Sequence, residues 1–180
     1  MDLAEKFSKT APVDIAEDSA AKVFELPQIE GLTKTYFVKL TLQDAAGKSV
    51  SSNFYWLSTQ PDVSDWAAGN GRYTPIKTYA DLTALEQLPP VKLKVASRTE
   101  QKGTEAVDRV TVENPSAHLA FMVHLTVRKG AAGADIQPVY WEDNYFELLP
   151  GEKREVTATY QRKLLGGAKS QIKVDGWNIE

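Results

Sequence analysis

After Pro90 the chain becomes a series of short alternating runs. VKLKVASRT, AVDRVTVEN, HLAFMVHLTVRK, DIQPVYW, NYFELLP, KREVTATYQR and SQIKVDGW are seven such runs within about 90 residues. QKGT, NPS, KGAAGA, PGEK and LLGG separate them, and each is a turn-forming sequence. A period of two sends successive side chains to opposite faces of a strand. In HLAFMVHLTVRK the alternation puts Leu119, Phe121, Val123, Leu125 and Val127 on one face, with Ala120, Met122, His124 and Thr126 on the other. Seven short strands with frequent turns predict an immunoglobulin-like β-sandwich over residues 91–180. There is no cysteine, so the Cys…Trp…Cys signature of antibody domains is absent.

The first 60 residues also read as β, but there are fewer strands. TYFVKLTLQD and SVSSNFYWLS flank the turn AAGK and predict a hairpin. APVDIAE and AKVFELP are two shorter candidate strands. Four strands are few for a closed two-sheet core. Residues 1–62 therefore read as part of a second β-sandwich domain. Uncovered faces carrying Tyr36, Val38, Leu40, Phe54 and Trp56 would favour self-association of such a fragment. Residues 63–90 read as a linker, rich in Gly and Pro. Within it Tyr79, Leu82, Leu85 and Leu88 recur every third residue and predict a short helical or 3₁₀ turn.

Composition narrows the function classes. With 180 residues, 42% hydrophobic and 25% charged, the chain is an ordinary globular sequence. Its net charge of −3 argues against a nucleic-acid partner. No apolar run approaches the roughly 20 residues a membrane span needs. The acidic start, MDLAEKFSKTAPVDIAEDS, does not read as a signal peptide.

Chemistry has few candidates. No thiol nucleophile or thiolate zinc site is available without cysteine. The two histidines, His118 and His124, read as surface or structural residues on and beside one strand. No Walker loop, HExxH, GxSxG or dinucleotide fingerprint occurs. No catalytic, cofactor or metal residue is assigned. The densest stretch is PVYWEDNYFELLPGEKREV, where Glu142 and Asp143 lie among aromatic residues. Glycosidases use two convergent carboxyls, but strand neighbours point to opposite faces. The favoured role is structural, with Asp143 and Asn144 forming a turn and Trp141, Tyr145 and Phe146 filling the core. Metal binding at Asp143 and sugar contact remain as alternatives. Trp177, near the end, is expected to fold back into a pocket.

NFYWLST (53–59), YTPIKTYADLTAL (73–85), LAFMVHL (119–125), PVYWEDNYFELLPGEKREVT (138–157) and VDGWN (174–178) resemble the C-terminal region of family 2 glycoside hydrolases. The resemblance lies in the branch of exo-β-D-glucosaminidases and mannosylglycoprotein endo-β-mannosidases. It covers essentially the whole chain. It implies a five-domain parent, a secreted or periplasmic bacterial enzyme, whose catalytic glutamates belong to a (β/α)₈ barrel outside this chain. This chain would then be a non-catalytic accessory region without cofactor. Its implied partner is the barrel of the same polypeptide, with carbohydrate as a second candidate. Residues for domain or sugar contact would be Tyr73, Trp141, Asp143, Asn144 and Trp177. One departure is GNGRYTP (69–75), where the family carries a Trp-Tyr pair.

Overall fold

The computed structural model describes residues 2–180. The chain separates into two compact units, Met1–Glu86 and Gln87–Glu180.

In the first unit the predicted hairpin is present. β1 (Thr35–Gln43) pairs antiparallel with β2 (Ser49–Ser58). The Asp44 carboxylate accepts the amides of Ala46 and Lys48, each at 2.9 Å, and fixes the turn. On one face the Phe37 and Phe54 rings lie 5.2 Å apart. No strand precedes Thr35 among the described residues. The expectation of strands in APVDIAE and AKVFELP is corrected. Their apolar residues Val13, Ile15, Val23 and Leu26 are exposed. Alternation without a partner strand or a covering layer does not form a sheet. The Gly- and Pro-rich stretch holds an unforeseen two-stranded ladder, β3 (Val63–Ser64) with β4 (Ile76–Thr78). The triplet spacing becomes a 3₁₀ helix, Thr83–Gln87, with Leu85 buried.

All seven predicted strands form in the second unit: β5 (Lys94–Lys102), β6 (Glu105–Glu113), β7 (Ala120–Lys129), β8 (Tyr140–Trp141), β9 (Phe146–Leu148), β10 (Lys153–Gln161) and β11 (Ser170–Asp175). One sheet has the order β5-β6-β10-β8 and the other β11-β7-β9. This is the four-plus-three arrangement of an immunoglobulin-like sandwich. The alternation of β6, β7, β9 and β10 places Val110, Val112, Val123, Leu125, Phe146, Leu148 and Val156 in one buried cluster. Ala106, Val127, Ile136, Ala158 and Tyr160 form a second.

Tyr160 and Asn114 are polar groups inside the sandwich with partners. The Tyr160 hydroxyl donates to Asp108 Oδ2 at 2.9 Å, and burial pushes this phenol up to about 12. Asn114, fully buried, donates to the carbonyls of His118 and Leu148 and accepts from Ser116. It replaces strand pairing at a chain reversal, where orphaned backbone groups would otherwise cost stability.

The face assignment in β7 needs one correction. Ala120 pairs with Leu148 and Val123 with Phe146, so Phe121 and Met122 together face Glu147. Met122 has φ of +53°, which marks a bulge. The extra residue reverses the faces upstream of it. Ala120 joins the core cluster, whereas Phe121 packs edge-on against Trp177, with ring centroids 6.4 Å apart.

Candidate functional site

The pairing of β9 with β7 ends at Val123, and the neighbouring edge of β7 is open as far as Val127. Two connecting segments close over it. At one end the Asn144 side chain acts as a peptide group would. Its Oδ1 accepts the Leu125 amide at 2.8 Å, and its Nδ2 donates to the Leu125 carbonyl at 3.0 Å. At the other end the Ile136 amide donates to Val127 O at 2.9 Å. Between these ties lies a groove of about 620 Å³, with His124, Thr126, Asp135, Gln137, Trp141 and Asn144 in its lining. Its volume falls within the range of small-ligand sites, about 300–1,000 Å³.

Trp141 forms part of the wall because β8 pairs with β10 through Ala158↔Trp141. Its ring also packs against both core clusters. His124 stands on the outer side of β7. Its Nδ1 lies 2.7 Å from Asp175 Oδ1, across the β7–β11 pair. Lys173 beside Asp175 holds that carboxyl below its ordinary value, and His124 adds to the effect. An ionised carboxylate only accepts, so His124 Nδ1 is the donor in this contact. The Tyr145 ring stacks on His124 at 4.5 Å and 15°. Tyr145 holds φ of +58°, an uncommon value for a bulky residue and a local cost. Asp135, about half exposed, has Oδ1 3.3 Å from Arg128 Nε.

The adjacent acids do not converge. Glu142 Oε2 accepts from the amide and hydroxyl of Thr157, each at 3.2 Å. Asp143 accepts from Arg154 Nη1 at 2.5 Å and from the Asn144 amide. Among the described residues no group of three His, Asp or Glu side chains could hold a metal ion.

Of the five residues singled out from sequence, Trp141 and Asn144 meet in the groove. Asp143 sits next to it in the chain and is tied to Arg154. Tyr73 belongs to the first unit, where Asn70 Oδ1 accepts its amide and its ring is exposed. Trp177 departs from expectation. The backbone folds back, with the Trp177 amide donating to Phe121 O at 3.1 Å, yet the ring is 58% exposed. Its neighbour Asn178 ties the tail down, bonding the Phe121 amide and the Pro89 and Leu119 carbonyls. Tyr145, expected in the core, is 56% exposed because its positive φ turns the ring onto His124. Asp135 and Gln137 escaped the sequence reading, and His124 was read only as a surface or structural residue. No local pattern joins them, since they come from a strand and a connection that only tertiary packing brings together.

The family profile described as the exo-β-D-glucosaminidase Ig-fold domain matches residues 72–179. The chain is 39% identical over 185 residues to an exo-β-D-glucosaminidase of Streptomyces avermitilis, covering 98% of this chain and 20% of that protein. It is 36% identical over 159 residues to one from Arthroderma benhamiae, covering 87% of this chain and 17% of the relative. The crystal structure of an Amycolatopsis orientalis exo-chitosanase superposes with a TM-score of 0.84 at 35% identity, covering 88% of this chain and 19% of that one. The chain thus spans about a fifth of the length of the curated relatives it matches.

Proposed function

This chain belongs to the exo-β-D-glucosaminidase Ig-fold domain family, and from that premise we propose that it is a non-catalytic accessory region of a larger glycoside hydrolase. Its work is to pack against the catalytic barrel of the same polypeptide and to shape the rim of that barrel's pocket. The observation that carries this reading is coverage. The alignment takes in 98% of this chain but 20% of the glucosaminidase it resembles. The separate tethering of Glu142 to Thr157 and of Asp143 to Arg154 supports it, because a retaining or inverting site needs carboxyls aimed at one bond.

The parent reaction in this reading is retaining hydrolysis of β-glucosaminide linkages, by an exported enzyme. Residues 1–62 then close an immunoglobulin-like domain whose earlier strands lie upstream, 63–90 link it onward, and 91–180 form the last sandwich. Tyr73, Asp143 and Trp177 serve as contacts to the neighbouring domains. The test compares the parent polypeptide with a version lacking this region, on aryl β-D-glucosaminides. Loss of thermal resistance without this region, and no turnover by this chain alone, is the expected result. Turnover by this chain that disappears in Glu142→Gln would sink the reading.

A second reading, a carbohydrate-binding module, is favoured by the groove that holds Trp141 and Asn144.

A further inference from the structure

We infer that the groove along the open edge of β7 is a binding subsite for a protonated amino sugar within a β-linked glucosamine chain. The inference rests on the reading that this region serves a glucosaminide-cleaving enzyme.

Three features carry it. The first is shape: about 620 Å³ of open groove, bounded by the Asn144 and Ile136 ties at its ends. The second is the Trp141 ring in the wall, an apolar surface of the kind that packs on the C–H face of a pyranose. The third is the surplus of acceptors. The Asp135 carboxylate is half exposed, and Arg128 approaches one of its oxygens, leaving acceptor positions of the carboxylate for a ligand. The side-chain amide oxygen of Gln137, in the same lining, adds another acceptor. A donor-rich cation fits such a lining. The ammonium and hydroxyls of glucosamine supply those donors. An N-acetylated sugar loses the charge, and an acidic sugar would meet Asp135 unfavourably. The strained backbone of Tyr145 fits the same picture, since it holds a ring against His124 that core packing does not require.

The test titrates this chain, labelled with ¹⁵N, with the β-1,4-linked tetramer of glucosamine. The amide signals of Asn144 and Gln137 and the indole signal of Trp141 report occupancy. Saturable shifts at these groups are expected. The N-acetylglucosamine and glucose tetramers should bind at least about tenfold more weakly, and Asp135→Asn should weaken the glucosamine tetramer by a similar factor. Trp177→Ala, outside the groove, should change affinity less than about twofold. Trp141→Phe trims a ring that also packs on both core clusters, so it should lower the melting temperature modestly and weaken binding while the amide spectrum remains that of the folded sandwich. The inference is overturned by the absence of shifts at about 10 mM tetramer, by equal binding of the neutral tetramers, or by a loss that follows Trp177→Ala and spares Asp135→Asn. Barrel packing is measured on the parent's thermal resistance, so either idea can fail without the other.

Discussion

The hairpin of the first unit and the sandwich of the second are written in the same alternating pattern, yet they bury very different amounts. From Val123 to Val127 in β7 and from Val156 to Tyr160 in β10 every second side chain is buried. Along β1 and β2, Leu40, Leu42, Val50, Tyr55 and Leu57 are all exposed. The two regions do not differ in strand length, since β2 and β7 each run for 10 residues. They differ in layers. A sheet excludes water from a face only when a second sheet covers it. Hydrogen bonding makes a ladder, but stability comes from area removed from water, about 25 cal/mol per Å².

Substitutions can break this comparison. Leu125→Ala, in the sandwich core, should cost about 3 kcal/mol by transfer and cavity terms. Denaturant unfolding measures it, and a cost near that of a surface change would mean the core reseals. Asn178→Ala should cost about 2 kcal/mol, because it frees two carbonyls and one amide where the tail crosses β7. Hydrogen exchange at Phe121 and Val91 should accelerate in the same variant, and unchanged protection at both would show the tail is held elsewhere.

Glu147 gives a pH test. Desolvation pushes its carboxyl up to about 7, against the opposing pull of Arg154, and its Oε1 is buried without a hydrogen-bond partner. A raised acid binds its proton more tightly in the folded state. Its effect on stability is nil below the unfolded value, grows as pH rises between about 4.5 and 7, and is a constant penalty above that. Glu147→Gln should therefore match the parent near pH 4 and exceed it at pH 8 by about 1 kcal/mol, after discounting for partial solvation. A difference independent of pH would contradict this. The smallest effect should be Leu42→Ala, within about 0.5 kcal/mol. If it rivals Leu125→Ala, the hairpin face is covered in solution, and sedimentation would show whether a second copy covers it.

Alternation and turn residues were enough to locate the hairpin and all seven strands after Pro90, because period two and turn chemistry are local. They failed before Thr35, where the same signal met no partner strand. The aromatic and acidic stretch around Trp141 and Asn144 was visible as dense but mute. Its opposing strand directions already separated Glu142 from Asp143, whereas the partners Thr157 and Arg154 come from β10.

Sequence by itself determined the fold class and the family, since both rest on residue order along the chain. Tertiary structure decided which faces are covered and which side chains meet. The Met122 bulge put Phe121, still buried, edge-on against Trp177 instead of in the cluster between the sheets. The positive φ of Tyr145 laid its ring on His124. The groove itself exists because β9 stops pairing at Val123 and a distant segment returns at Ile136. Each outcome depends on where a ladder ends, and that is set by competition between strands far apart in sequence, which no local pattern records.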